Sequence, residues 1–218
     1  MMGLGEWGMQ GELSALWQLC FHEPPRSANY FFHNYYRPEN CAVYKLNGKI
    51  VSMLHMLPAG VLQNGEAVPA VYIYGVATHP DYRSHGYSAS LLAFAALTAA
   101  RRGAQYAVLL PSNAPLYGFY SKNDFQTFYR IDRVDLTSQQ LRDFVGEVQG
   151  FARIPDYRRL VLLRNRLLNS RNGSLLIDER ALCYADGLNR LEGGKLVCIE
   201  PVSYTHLKDR ARQMSSPR

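Results

Sequence analysis

The 218-residue chain is long enough for one large domain or two small ones. Its 47% apolar residues can fill a core, and fifteen Tyr, nine Phe and two Trp leave many amphipathic rings to line a pocket. The formal net charge is +6, but half of that excess sits in the last sixteen residues, where Lys208, Arg210, Arg212 and Arg218 face Asp209 alone, so no nucleic-acid partner is expected from it.

Cys20, Cys41, Cys183 and Cys198 are scattered without the paired spacing of a metal or redox motif, and read as buried thiols. The opening residues MMGLGEWGMQ lack a basic stretch followed by an apolar one. The most apolar run, Ser88 to Ala100, has thirteen residues, fewer than the roughly 20 that a bilayer requires. A cytoplasmic protein without membrane contact is expected.

In chain order, apolar spacing at Leu13, Leu16, Trp17 and Cys20 predicts a helix over Glu12 to Phe21, ending before Pro24-Pro25. A second helix is expected over Ser27 to Tyr35, capped by Ser27. CAVYKL and KIVSMLHML then flank Asn47-Gly48, a two-residue hairpin signal. Pro58 to Glu66 reads as a loop, and AVPAVYIYGVATH as a strand. GYSASLLAFAALTAARRG predicts a well-buried helix with Arg101 and Arg102 in its last turn and Gly103 just beyond. QYAVLL is a short strand, Asn113 to Lys122 a weak helix, and FQTFYRIDRVDL a long strand. The capping-box pair Thr137 and Gln140 opens a helix to about Glu147, and Pro155 another through DYRRLVLLRNRLLN. SLLIDE, ALCYAD and KLVCIEPV read as three meander strands. The expected organisation is a first domain over residues 1–136, a C-terminal subdomain over 137–202 that is incomplete on its own, and a disordered basic tail over 203–218 that need not be native to the protein.

The stretch DYRSHGYSAS joins the strand ending at His79 to the apolar helix. A helix N-terminus offers about four unpaired N–H groups and a partial positive charge. Gly86 permits left-handed backbone there, and the small Ser88 keeps the approach clear, which suits an anion such as phosphate. Arg83 adds charge. An ordinary strand-to-helix bend would need the same glycine, so the surrounding residues must decide.

Those residues carry a resemblance. Arg83-Ser84-His85-Gly86-Tyr87-Ser88 resembles the acetyl-CoA signature Arg/Gln-x-x-Gly-x-Gly/Ala of the GNAT (GCN5-related N-acetyltransferase) superfamily, with Ser88 where Gly or Ala is usual. GVATHPDY before it, the apolar helix after it and FYSKNDF further on are similar to the same family, as is the element order from Leu13 to Leu136. The resemblance implies an α/β (α+β) fold with a mixed, mostly antiparallel sheet flanked by helices. It implies acetyl-CoA as cosubstrate, no metal, and transfer of the acetyl group to a primary amine on a small molecule or protein. A catalytically inactive acyl-CoA-binding module and a non-enzymatic anion-binding protein remain the alternatives, and a homodimer is left open. Val76, Ala77 and Thr78 would pair with the pantetheine arm, and Arg83, Ser84, His85, Gly86, Tyr87 and Ser88 would hold the pyrophosphate. Asn113 is also assigned to the cofactor. Tyr120 would protonate the leaving thiolate, and Asp124, in place of the family's Gly, can take left-handed backbone angles. Glu66 and His55 are candidate general bases, with a water chain as the alternative. Tyr30, Phe31, Phe32, Tyr35 and Tyr36 are expected mostly in the core, with one or two lining an amine site that is completed by the loop from Pro58 to Pro69.

Overall fold

The computed structural model describes residues 1–129, 135–137, 139–140, 150–169 and 171–201. These fall into two compact units, one formed by Met1–Thr127 with Tyr157–Gly194, the other by residues from Phe128–Asp156 and Lys195–Arg218. The division does not follow the boundary expected near residue 137, because residues 157–194 pack with the N-terminal unit.

In the first unit, β1 (Met2–Leu4), β2 (Cys41–Leu46), β3 (Lys49–Gln63) and β4 (Glu66–Thr78) form antiparallel neighbours, and β5 (Tyr106–Val108) joins β4 in parallel. The fold is therefore mixed α/β with a mostly antiparallel central sheet, as expected. Helices α1 (Gln10–Phe21) and α2 (Pro25–Asn34) cover one face, and α3 (Tyr87–Arg101) and α4 (Ala114–Ser121) the other. Two cores follow from the period-two alternation of the strands. Leu13, Trp17, Phe31, Phe32 and Tyr36 meet Val43 and Met53 on the first face. Leu91, Leu92, Ala95 and Tyr120 meet Leu54 and Ile73 on the second.

Several local expectations need correction. The stretch from Pro58 to Glu66 is not a loop: β3 runs on to Gln63 and returns through a second Asn-Gly hairpin, Asn64-Gly65, with both φ angles positive as in the Asn47-Gly48 turn. Pro58 is tolerated because β2 has ended by then, at Cys41 opposite His55, so β3 has no second neighbour at that point. Helix α2 starts at Pro25, whose missing N–H is harmless at the first turn, and not at Ser27. Helix α3 buries only one side, with Leu97 61% exposed. The thiol of Cys183 is exposed, whereas Cys41 is fully buried and pushed up to about 12 by desolvation.

The C-terminal reading changes most. After α5 (Tyr157–Leu168) and the two-residue strand β7 (Leu175–Leu176) against β3, the residues of ALCYAD lie inside helix α6 (Glu179–Leu191). Asp178 caps it by accepting from the Ala181 N–H at 2.8 Å. Buried Asp186 accepts from the Tyr157 hydroxyl at 2.7 Å and from Arg190 at 2.8 Å, which ties α6 to α5. The aromatic cluster behaves as expected, with Phe31, Phe32, Tyr35 and Tyr36 buried.

In the second unit, β6 (Gly150–Arg153) and β8 (Cys198–Pro201) form an antiparallel pair. The predicted capping box is present: the Gln140 N–H donates to Thr137 Oγ1 at 3.2 Å and the Thr137 N–H to Gln140 Oε1 at 2.9 Å. Phe125 to Tyr129 is not strand, and the rest of that predicted strand, the helix beyond Gln140 and the tail lie outside the described residues. Among the described residues no helix is long and apolar enough to cross a membrane.

Candidate functional site

The site begins where β4 parts from β5. The two strands pair only from Ala70 opposite Tyr106 to Tyr72 opposite Val108. From Ile73 to Thr78, β4 keeps β3 on one side and, among the described residues, has no strand on its other edge, a fork in the sheet. Within that stretch a bulge sets three β4 steps, Tyr74 to Ala77, against two on β3, His55 to Met53. Gly75 sits in the bulge at φ 60°, and a Cβ there would lie 2.2 Å from the Trp17 ring, so only glycine fits.

The open edge leads straight to the turn before α3. Ser84 and Gly86 both take left-handed angles, φ 65° and 79°, and Gly86 stands at the N-cap of α3. No protein acceptor within the described residues takes the N–H of Ser84, His85 or Gly86, and nothing lies within 4 Å of where a Gly86 Cβ would be. This is an exposed backbone nest at a fifteen-residue helix, with the geometry that an anionic phosphate group requires. Tyr87 and Ser88 are the first residues of that helix.

Other residues expected at the cofactor are placed less directly. The Arg83 Nε donates to the Thr78 carbonyl at 3.2 Å, so the guanidinium turns back along β4, where the Cys20 thiol donates to the same oxygen at 3.3 Å. Burial pushes the Cys20 thiol up despite that neighbour. The Thr78 carbonyl is thus already engaged, and that of Ala77 accepts from the Ser52 hydroxyl at 2.9 Å. Val76 packs into the α3 side of the sheet. His85 rests its Nδ1 on the Arg83 carbonyl at 2.7 Å and stacks its ring on Tyr87. Asn113 caps α4 by accepting from the Leu116 N–H at 3.3 Å.

Tyr120 comes from α4 and is 8% exposed. It belongs to the core on the α3 side of the sheet with Ile73, Leu91 and Leu92, and burial raises its phenol above the ordinary value, with Tyr72 adding to the rise. Its hydroxyl makes no hydrogen bond among the described residues. Asp124 takes φ 67°, and the Phe125 N–H closes the turn onto the Tyr120 carbonyl at 3.1 Å.

Neither candidate base survives. His55 is 1% exposed, caged by Trp17, Phe31, Phe32 and Tyr36, and burial pushes its imidazole down to about 3. It is neutral and sealed from any amine. Glu66 sits at the Asn64-Gly65 hairpin, six residues or about 20 Å along β4 from the fork at Tyr72. Residues that the sequence reading missed lie closer: Tyr72 and Tyr74, with rings 6.2 Å apart on one face of β4, and Tyr184 of α6, stacked on Tyr35 at 4.7 Å. The period-two Tyr-x-Tyr pattern before Gly75 is a signal for the first two. Tyr184 had none once its segment was read as strand.

A family model for the acetyltransferase (GNAT) domain matches residues 11–126. A putative acetyltransferase from Agrobacterium tumefaciens is 23% identical over 61% of this chain and 99% of its own, with a TM-score of 0.50. Eis1 from Mycobacterium abscessus is 12% identical over 92% of this chain and 51% of its own, at 0.66, so the chain spans about half of that protein's length. The structure of AAC(6')-Iy in complex with the bisubstrate analogue CoA-S-monomethyl-acetylneamine is 14% identical over 63% of this chain and 97% of its own, at 0.52. At these identities the structures speak for the fold. No curated protein matches. With more than half of the chain matched by the family model, and the forked sheet leading to a phosphate-type turn, the chain belongs to the GNAT acetyltransferase family.

Proposed function

We propose that the protein transfers an acetyl group from acetyl-CoA to a primary amine by direct attack. The observation that carries this reading is the continuity of the β4–β5 fork with the exposed nest at Ser84 to Gly86, which together make a slot for an extended chain ending in phosphate. The N–H groups of the nest and the first turn of α3, including Tyr87 and Ser88, would hold the pyrophosphate. The edge of β4 at Val76, Ala77 and Thr78 would pair with the pantetheine amides as Arg83 swings away from the Thr78 carbonyl to add charge. Acetyl-CoA supplies the thioester, whose acyl carbon bonds to the amine nitrogen as the C–S bond breaks.

Tyr120 would donate its hydroxyl proton to the departing thiolate. Burial favours the neutral phenol, so the donor is in place across the neutral range. The proton lost by the amine leaves to solvent. A backbone N–H exposed by the bulge would polarise the carbonyl. Among the described residues no cluster of His, Cys, Asp or Glu could hold a metal.

Calorimetric titration with acetyl-CoA, followed by an assay of thiol release over a panel of primary amines, tests the reading. Binding with turnover on at least one amine is expected. Binding without release for every amine would leave an acyl-CoA-binding module instead.

A further inference from the structure

The α1–α2 side of β4 holds a group of side chains with no part in the scheme above. Glu23, just past α1, accepts from Trp17 Nε1 at 2.9 Å. The Trp17 ring lies 5.3 Å from that of Tyr74, and Tyr74 and Tyr184 both pack on Phe31, at 5.6 and 5.7 Å. The two phenols interact directly, burial raises both, and the Glu23 charge acts on each. Glu23 is exposed, and among the described residues no Lys or Arg pairs with it. The result is a carboxylate held by an indole N–H at the rim of a neutral phenol pair, next to the open part of β4.

Such a group favours a cation, through charge and through the faces of the rings. It does not favour the reacting nitrogen itself, which must shed its proton before attack and which a neighbouring carboxylate would keep protonated. We propose, building on the acetyl-transfer reading, that the acceptor carries a second ammonium group and that Glu23, Tyr74 and Tyr184 receive it while the neutral amine reaches the fork. Helix α6, which lies beyond the region matched to the family, thereby contributes to acceptor choice through Tyr184.

The test compares diamines from 1,3-diaminopropane to 1,6-diaminohexane with monoamines of equal carbon number. At least one diamine should exceed its monoamine tenfold in kcat/KM, chiefly through KM. Glu23→Gln keeps an oxygen to accept from Trp17 and removes the charge, and should reduce that ratio at least fivefold. A ratio near one in the wild type, or one unchanged in Glu23→Gln, overturns the proposal. Binding of each diamine, read by calorimetry, separates this inference from the transfer reading. If acetyl-CoA binds and no amine is acetylated, the transfer reading fails, yet fivefold weaker diamine binding in Glu23→Gln still supports the ammonium site. Equal binding in the two proteins refutes it. Tyr184→Phe, which keeps the ring stack, should weaken diamine binding less than Glu23→Gln; the reverse order would also overturn the assignment of Glu23.

Discussion

Tyr120 and His55 are both buried polar groups, and their surroundings give them opposite uses. Tyr120 lies in the core on the α3 side of the sheet, whereas His55, on the other side, is surrounded by the rings of Trp17, Phe31, Phe32 and Tyr36. Tyr120→Phe keeps the packing against Phe119 and Phe125 and deletes only the donor. It should lower kcat at least tenfold, within the roughly 10²–10⁴-fold that general acids contribute, while acetyl-CoA affinity changes little; an unchanged kcat in a chemistry-limited assay refutes the role. For His55 the consequence is on stability. Its folded pKa of about 3 lies below the unfolded value of about 6.5, so between these values the unfolded chain binds the extra proton. Stability is full above the unfolded value and is lost as pH falls, by about 2 kcal/mol at pH 5 relative to pH 7. Urea unfolding at the two pH values should show this drop, and His55→Phe should remove most of it. A drop of equal size in the variant would assign the pH dependence to other groups.

Elements were legible where a local rule acts alone and obscure where neighbours decide. The Asn47-Gly48 hairpin, the start and stop of α3 and the Thr137–Gln140 box are set by turn and cap chemistry within a few residues, and the structure has all three. The run of β3 past Pro58 to the Asn64-Gly65 turn was not legible, because a proline in a strand is acceptable only when that stretch has one partner, a fact of the sheet and not of the segment. ALCYAD carries β-compatible residues, but Asp178 as cap and the docking of Asp186 on α5 decide for helix. The bulge that depends on contact between Gly75 and Trp17 was not visible in the segment. Gly86→Val would force a β-branched residue to φ 79° where the backbone is to meet phosphate. Because the turn is exposed and little packs on it, acetyl-CoA affinity should fall at least tenfold while Tm shifts by only a few degrees. Wild-type affinity by calorimetry would return the turn to a purely structural role.

At the scale of the whole molecule, the region matched to the family ends at residue 126, but the first compact unit does not. It takes in residues 157–194, and the reason lies on α2. Tyr184 stacks on Tyr35 at 4.7 Å and on Tyr30 at 5.8 Å, and meets the edge of Phe31 at 5.7 Å. Gly187 lets the helices approach so closely that a Cβ there would overlap the Tyr30 hydroxyl. Arg180 adds a cation over the Tyr35 ring at 5.4 Å. Strand β7 adds a short edge to β3 at Gly60 and Val61, and Asn172 accepts from the Asn64 N–H at 2.8 Å. A fragment of residues 1–136 would therefore expose the ring of Tyr35 and the outer face of α2, and would lose an aromatic packing partner of the size whose deletion typically costs about 3–5 kcal/mol. The expected outcome is a fragment with a lower Tm than the full chain by ten degrees or more, and with a strong tendency to associate. If the fragment melts within two or three degrees of the full chain and stays monomeric in sedimentation, α5 and α6 are an appendage to a self-sufficient sheet, and the proposed contribution of Tyr184 to acceptor choice loses its structural footing as well.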